Sequence, residues 1–368
     1  MSIVSSGQID AITGDGRKQN IIIYGLTFLL WPAILSSCIF ATSFGIQTEH
    51  TAIFFNITYV CLALTLFALE RILPHERAWL ENDGQMPADL AHTLLNKGFV
   101  QVLVVVGVTI GIAEAAASKG GGLWPTHWPM MLQVILGLLI AEAGMYAAHR
   151  LGHEWPLLWR FHAVHHSAPR LWFFNTGRFH VVDTVTSILL CQPLLFLAGA
   201  PSDVFIWVTS ITAFIGMLTH CNIEMRFGPL NYVFNTPAVH RWHHSRNPAE
   251  GNSNYGENLI FYDVLLKTFY CPKRRPPTNI GIDGPMPAKF LGQIVHPFRR
   301  DQTSVPVTQI GHDGDRIRSS GCIVKDHAQR GAQTTPHATD AMPHQGPIHT
   351  TGARHRVRPD WKDHAIPD

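Results

Sequence analysis

The chain is organised around long apolar runs that contain few charged residues, and all of these runs lie before residue 220. A fifth apolar region, 184–219, is interrupted at 199–203 by Gly-Ala-Pro-Ser-Asp, which is typical of the turn of a helical hairpin. The pattern predicts an all-α, polytopic membrane helical bundle of about four spans plus a re-entrant hairpin that enters and leaves on one side. The four runs long enough to cross about 30 Å of hydrocarbon are 21–44, 51–69, 99–117 and 129–148.

The composition outside these runs divides the chain into three parts. Residues 1–20 are polar and show no secretory signal, because the first apolar run is too long for a signal peptide. Residues 21–300 are predicted to form one membrane-embedded domain. From about residue 301 apolar periodicity disappears, so residues 301–368 cannot bury enough apolar surface to offset their ordering entropy. They are predicted to be a disordered tail.

The overall composition favours a membrane protein and excludes other classes. Hydrophobic residues make up 46% of the chain and charged residues only 15%, whereas a soluble globular protein carries about 25% charged residues. The net charge is +2, and no basic stripe with interleaved aromatic residues indicates nucleic-acid binding. Six cysteines include no Cys-x-x-Cys pair, which favours buried free thiols over disulfides or a thiolate metal site.

The positions of lysine and arginine predict which side of the membrane each segment faces. Arg17 and Lys18 precede the first run, and the loop to the second run has neither residue type. Basic residues follow the second run, the fourth run and the hairpin, while the hairpin turn has none. Cytoplasmic loops carry the excess of Lys and Arg. The N-terminus and every histidine-rich segment are therefore predicted on the cytoplasmic side of a bacterial inner membrane or an ER-type membrane.

Three groups of closely spaced histidines follow the fourth run and the hairpin. Two groups have the spacing His-x-x-His-His, and one has His-x-x-x-His. Positions i, i+3 and i+4 share one face of a helix, so each group can direct two or three imidazoles at one point. The spacing predicts a metal centre at the membrane surface. The groups are His149 and His153, then His162, His165 and His166, and finally His240, His243 and His244, with His180 and His220 standing singly between them.

The histidine groups narrow the choice of metal without deciding it. Eight imidazoles are too many for one zinc ion and suit two metal ions. A zinc peptidase would need Glu after the first histidine of the first group, where Arg150 stands. Soluble di-iron bundles use Glu-x-x-His pairs, which these groups lack. Imidazole suits iron, zinc and copper, so the ligand type leaves the metal open.

One acid, Glu142, lies inside the fourth run. It shares a helical stripe with Tyr146, His149 and His153, at i, i+4, i+7 and i+11. An acid within a span is costly and usually functional. Glu142 is therefore predicted to accept the second ring N–H of a ligand histidine and to fix its tautomer. The alternative is a carboxylate close enough to the interface to be solvated.

The motifs around the histidines resemble those of the fatty acid hydroxylase / sterol desaturase superfamily of membrane di-iron enzymes. The resemblance runs from about residue 89 to residue 268. Glu142 stands where the family usually has Asp, Tyr262 where Trp is common, and Leu266-Lys267-Thr268 replaces Phe-Gly-Thr, all outside the ligand set. The matching motifs are Tyr-x-x-His-Arg-x-x-His at 146–153, Leu-Trp-Arg-Phe-His-x-x-His-His-Ser at 158–167, Arg-Phe-His at 178–180, His-Cys-Asn at 220–222, Thr-Pro-x-x-His-x-x-His-His at 236–244, and Asn-Tyr-Gly-x-Asn-Leu at 254–259 with Asp263.

The resemblance implies an O₂-dependent lipid hydroxylase with two iron ions. Electrons would come from an external reductase or electron-transfer protein, since the sequence has no cofactor motif of its own. Fatty acyl, sterol-like and aminolipid substrates, such as an ornithine lipid, remain open. The implied iron ligands are His149, His153, His162, His165, His166, His220, His240, His243 and His244. The implied supporting groups are Glu142, Tyr146, Asn222 and Asp263, with His180 as a support or a further ligand.

Several alternatives accompany this interpretation. A lipid or sterol desaturase would use the same metal site. A histidine-rich membrane metal carrier would need histidines or acids lining a path within the membrane, and only Glu142 lies inside an apolar run. A catalytically silent family member is disfavoured because all histidine groups are intact. Four arginines near the groups could hold an anionic head group or an acidic electron carrier, although ordinary cytoplasmic positive charges are favoured: Arg170, Arg178, Arg241 and Arg246.

Overall fold

The computed structural model describes residues 14–99, 102 and 123–299, and side chains from Tyr24 onward. The predicted third span, 99–117, lies almost wholly outside the described residues, and the predicted tail, 301–368, lies outside them entirely. Within the described part, the β structure consists of isolated bridges. The α-helices are α1 (Gly14–Gln47), α2 (Thr51–Ile72), α3 (Met86–Ala91), α4 (Met130–Glu154), α5 (Pro156–His166), α6 (Val181–Ala198), α7 (Ser202–His220), α8 (Pro237–His243), α9 (Pro248–Gly251), α10 (Phe261–Leu266) and α11 (Phe290–Val295), and a π-helix, His92–Phe99, follows α3.

Five of the described helices are long and apolar enough to cross a membrane: α1, from Tyr24 onward, and α2, α4, α6 and α7. The predicted all-α, multi-pass membrane bundle is confirmed. Helix α1 begins at Gly14, inside the segment predicted as polar, and α4 extends past residue 148 to Glu154. The hairpin turn after α6 is made by Gly199, whose φ of 79° lies in the left-handed region that glycine adopts without steric cost.

Helix α4 is the centre of the bundle, and glycines bring its backbone close to two neighbours. A Cβ atom at Gly144 would lie 2.2 Å from the carbonyl oxygen of Leu190 on α6. A Cβ atom at Gly137 would lie 2.7 Å from a methyl group of Val204 on α7. Small residues of this kind permit close packing of helices where lipid supplies no hydrophobic drive. The outer faces carry exposed apolar side chains such as Phe40, which match a hydrocarbon surrounding.

The segments that follow α2, α5 and α7 gather at one end of the bundle. Glu70, in the last turn of α2, accepts hydrogen bonds from the backbone N–H groups of Phe173 (2.7 Å) and Asn222 (3.0 Å). Those two residues follow α5 and α7, so the ends of α2 and α7 lie on the same side. The opposite connections, 48–50 and 199–201, contain no Lys or Arg. This end of the bundle, with its short helices and loops, holds the histidines.

Candidate metal centre

The nine histidines expected to bind metal converge into two adjacent clusters, and all nine are buried. Within each cluster, the candidate ligand atoms lie within 4.8 Å of one another. The rings of His166 and His244, one from each cluster, stack with centroids 4.5 Å apart. The five-histidine cluster contains His149, His153, His162, His166 and His243, and the four-histidine cluster contains His165, His220, His240 and His244.

In the five-histidine cluster, three Nε2 atoms face one another but carry too few hydrogens to form hydrogen bonds among themselves. The Nε2 of His166 lies 3.0 Å from Nε2 of His153 and 3.1 Å from Nε2 of His162. His153 donates through Nδ1 to Asn252, and His162 donates through Nδ1 to Asp183. Neutral His153 and His162 therefore carry no hydrogen on Nε2. Three converging nitrogens share at most one hydrogen, which is an arrangement suited to a cation.

The four-histidine cluster also brings three ring nitrogens together. His220 donates through Nδ1 to the side-chain oxygen of Asn175 at 2.9 Å, so its Nε2 is a bare lone pair. That Nε2 lies 2.9 Å from Nε2 of His240, which in turn lies 3.0 Å from Nε2 of His244. Asn235 donates to Nδ1 of His240 at 3.3 Å, so neutral His240 carries its hydrogen on Nε2 and can donate it to only one of these two neighbours.

Buried ring nitrogens without a hydrogen-bond partner support the same conclusion. His149 and His243 donate through Nδ1 to the backbone carbonyls of Tyr255 (2.8 Å) and Ser253 (2.7 Å). Their Nε2 atoms are buried and have no hydrogen-bond partner among the described residues. A buried acceptor without a partner costs free energy. A metal ion between these atoms would remove that cost, so the residues fit a bound metal.

The electrostatics of the clusters keep the imidazoles in the form that binds metal. Burial, reinforced by the neighbouring imidazoles, holds the pKa of each ring well below its usual range in the second and third histidine groups. These rings are therefore neutral at pH 7 and present a lone pair. The residues concerned are His162, His165, His166, His240, His243 and His244.

Each histidine group lies on a helix, which explains why its spacing directs the rings to one side. Helix α4 continues through the first group, α5 carries the second, and α8 carries the third, so the i, i+3 and i+4 positions share a face as predicted. Gly152 leaves room beside the first group, since a Cβ atom there would lie 3.2 Å from the His162 ring. The structure thus brings together histidines from α4, α5, α7 and α8. Metal binding by these nine histidines stays a prediction.

The structure corrects the predicted role of Glu142. Its side chain is completely buried, and its carboxylate accepts hydrogen bonds from the backbone N–H groups of Glu257 (2.6 Å), Asn258 (3.0 Å) and Leu259 (3.2 Å). It contacts no histidine ring of the described residues, and its burial keeps it from solvent. Glu142 instead holds the loop that supplies the Tyr255 carbonyl to His149.

Tyr146, Asn222 and Asp263 also do not bond the histidines directly. The Tyr146 hydroxyl contacts Thr268 at 2.9 Å, and Asn222 bonds the backbone of Glu76 through its side chain. Asp263 accepts from the backbone N–H of Tyr255 and so orders the same loop. These side chains support the loops around the clusters rather than the rings.

His180 lies outside both clusters. Its Nδ1 accepts a hydrogen bond from the backbone N–H of Val182 as the N-cap of α6, and its Nε2 donates to the carbonyl of Ile294 at 3.2 Å. Both ring nitrogens therefore have partners other than a metal or a clustered histidine.

The sequence analysis missed the side chains that contact the rings directly. Asp183, Asn252 and Asn175 accept from His162, His153 and His220. Asp183 had a detectable signal, since it is an acid three residues after His180, at the start of an apolar run. Asn175 lies in a short 3-10 helix and Asn252 in a loop, and no local pattern indicates what their side chains face.

The four arginines near the histidine groups have different surroundings. Arg178 and its partner Asp89 are each 1% exposed and lie 3.0 Å apart. Buried Arg241 donates to the carbonyls of Cys221 and Ile223. These two arginines brace the fold and are unavailable to a head group or a partner protein. Arg170 pairs with Asp83, while the Arg246 side chain is 41% exposed.

Asp89→Asn is expected to lower the free energy of unfolding by about 3–5 kcal/mol, because it leaves the buried Arg178 charge without an opposite charge beside it. Asp283→Asn is the matched control. Asp283 is 91% exposed and 3.9 Å from Arg246, so its loss should cost within about 1 kcal/mol. Denaturant titration of both variants in detergent checks the difference. Equal effects of the two changes would contradict a structural role for the buried pair.

Comparisons with known proteins match the region of the chain that contains the histidine clusters. A family model described as fatty acid hydroxylase matches residues 134–268, the region that holds all nine clustered histidines. The chain is 49% identical over 277 residues to the ornithine lipid hydroxylase OlsE of Rhizobium tropici, covering 74% of this chain and 84% of that protein. This chain belongs to the fatty acid hydroxylase family. The resemblance inferred from the motifs is confirmed.

Other members of the family are more distant. The alkylglycerol monooxygenase of Danio rerio is 33% identical over 146 residues, covering 40% of this chain and 31% of that protein. The human alkylglycerol monooxygenase is 31% identical over 147 residues, covering 40% of this chain and 32% of that protein. The chain thus spans about a third of the length of these relatives. No solved structure matches this chain significantly.

Family membership confirms the predicted class of activity. This member of the fatty acid hydroxylase family is an oxidoreductase that hydroxylates lipid, and its clustered histidines could hold metal ions. Its apolar helices make it a multi-pass membrane protein.

Proposed function

We propose that the chain is an O₂-dependent di-iron hydroxylase of an ornithine lipid. The observation that carries the substrate is the 49% identity to an ornithine lipid hydroxylase over 84% of that protein. The match to the alkylglycerol monooxygenases covers only about a third of their length. Among the lipid classes left open by the sequence, the aminolipid is therefore the best supported.

We propose that the five-histidine cluster holds one iron and the four-histidine cluster holds the other. The facing nitrogens of both clusters lie 2.9–3.1 Å apart, so each cluster could direct several imidazoles at one ion. Nine buried imidazoles are too many for one zinc ion and suit two metal ions. Iron is among the metals that imidazole ligands suit.

The bound irons would supply the redox chemistry that activates O₂. One oxygen atom enters a C–H bond of the lipid and the other leaves as water. The balance needs a pair of electrons and a pair of protons, and the electrons come from an external one-electron carrier. The protein contributes ligand orientation, through the partners on the outer ring nitrogens, and exclusion of water, since all nine rings are buried.

The position of the clusters supports access from the membrane. They lie where α4 and α7 end and α6 begins, at one end of the apolar spans. At the other end, the connections 48–50 and 199–201 carry no Lys or Arg, and the segment before α4 carries only Lys119, which supports a cytoplasmic location for the clusters. A lipid in the cytoplasmic leaflet then reaches the site without leaving the membrane.

Lipid mass spectrometry under ¹⁸O₂ tests the proposal in a bacterium that makes ornithine lipid. Cells that express the chain are expected to gain an ornithine lipid heavier by one ¹⁸O atom, absent with the empty vector. A product lighter than the lipid by two hydrogens would show that the reaction is desaturation and not hydroxylation. No change in ornithine lipid, from a chain that carries iron, would overturn the substrate assignment.

A further inference from the structure

The two clusters differ in the groups that bond the outer nitrogens of their rings. In the four-histidine cluster, His220 and His240 contact the neutral side-chain amides of Asn175 and Asn235. The outer Nδ1 atoms of His165 and His244 have no hydrogen-bond partner among the described residues. Within the described part of the chain, the rings of this cluster therefore donate no hydrogen bond to a carboxylate.

The five-histidine cluster contains a carboxylate contact. Asp183 Oδ2 lies 2.8 Å from Nδ1 of His162, with side-chain exposures of 13% for Asp183 and 1% for His162. Glu257, the next carboxylate, lies 3.8 Å from His149, beyond hydrogen-bond distance. Among the described residues, His162–Asp183 is the one hydrogen bond between a carboxylate and a clustered histidine.

The geometry of α6 fixes Asp183 in place. The residue lies in the first turn of α6, whose N-cap is the His180 side chain. The close approach of α6 to α4 at Gly144 holds this helix against the cluster. Asp183 therefore reaches His162 from a packed helix rather than from a loop.

We propose that Asp183 is a positioning residue that retains the metal of the five-histidine cluster and makes the two metal positions unequal in affinity. A carboxylate that accepts the outer N–H of a ligand histidine fixes its tautomer and orientation and raises its basicity. Asp183 does this for His162, while the four-histidine cluster has only amides. The metal held by five histidines therefore leaves more slowly than the metal held by four. This inference rests on the metal centre of the proposed function.

Release of Fe(II) to a coloured chelator, from the purified full-length protein under anaerobic conditions, tests the inference. The wild type is expected to lose its iron in two phases of equal amplitude. Asp183→Asn should accelerate the slow phase about 10–100-fold and leave the fast phase unchanged. Asp183→Glu, which keeps the charge, should restore most of the slow phase.

Asp203→Asn is the matched control for this experiment. Asp203 also lies in the first turn of a span, α7, but is exposed and contacts no histidine. The Asp203→Asn variant should release iron as the wild type does. This control separates a general effect of charge at a helix N-terminus from the specific contact with His162.

Two results would overturn the role of Asp183. One is an unchanged slow phase in Asp183→Asn. The other is equal acceleration of both phases together with a lower unfolding temperature of the metal-free variant, which indicates a purely structural residue. If Asp183→Asn protein does not accumulate, iron release from the wild type and from Asp183→Glu decides instead. Release of iron from the wild type in a single phase would overturn the inference. Release in two phases, of which only the slow one changes in Asp183→Glu, would support it.

The same preparation separates this inference from the proposed function. A wild-type chain that binds no metal would overturn the metal centre and the role of Asp183 together. A chain that binds two irons with unequal affinity but produces no hydroxylated ornithine lipid would overturn the substrate alone.

Discussion

Replacing His165 and His166 together with alanine is expected to abolish lipid hydroxylation and to reduce bound metal at both positions. The two residues are adjacent in the chain but belong to different clusters, so one substitution pair removes a ligand from each. Loss of a group that only supports a ligand costs about 10–100-fold in metal affinity or activity, and loss of two ligands should exceed that range. Product formation and iron per chain are the measurements.

The control for this variant is His50→Ala with His127→Ala. Both histidines are exposed and lie outside the clusters. The control pair should keep the iron content and product of the wild type. If the His165 and His166 variant retained two irons and full activity, neither cluster would be the metal centre.

Gly144→Val is expected to prevent stable folding. The new side chain would collide with the backbone of α6, since even a Cβ atom would lie 2.2 Å from the Leu190 carbonyl and 2.6 Å from the Cys191 Cα. Backbone atoms cannot move aside as a flexible side chain can. Overpacking of a core costs about 1–3 kcal/mol, and a clash with main chain should exceed this range. The yield of monodisperse protein and its unfolding temperature are the measurements.

Gly25→Ala is the matched control, because a Cβ atom there meets no other atom within 4 Å. Gly25 lies within α1, where alanine is favoured over glycine by about 1 kcal/mol. The control should fold as well as the wild type or better. If Gly144→Val folded like Gly25→Ala, the α4–α6 contact would be looser than described.

The membrane-spanning helices could be predicted because their signal is local. The runs at 51–69 and 129–148 correspond to α2 and α4, and the break at 199–203 corresponds to the turn between α6 and α7. Helix bounds were less accurate. Whether α4 stops at residue 148 or continues to Glu154 depends on the histidines packed around its end.

The grouping of the histidines was likewise predictable within each helix. Spacing of i, i+3 and i+4 showed that His162, His165 and His166 share a face, but it placed all three together. The structure divides them, with His165 in one cluster and its two neighbours in the other. That division depends on how α4, α7 and α8 surround α5.

The prediction for Glu142 was wrong for a related reason. Its burial within a span was correctly inferred, and a costly buried carboxylate does need partners. The sequence contains no information on which donors come near. Three backbone N–H groups from 257–259 meet it, whereas the carboxylate that reaches a histidine ring is Asp183 on another helix.

The sequence by itself determined the membrane class, the helical architecture, the family motifs and the eight grouped histidines, and the family resemblance added His220. These properties depend on residue type and on short periodic spacing, which are encoded within single segments. Only the tertiary structure decided the division into five and four histidines, the partners of the ring nitrogens and the role of each buried charge. Those features arise from hydrogen bonds between residues as far apart as His149 and Tyr255, and long-range contacts depend on the packing of the whole bundle.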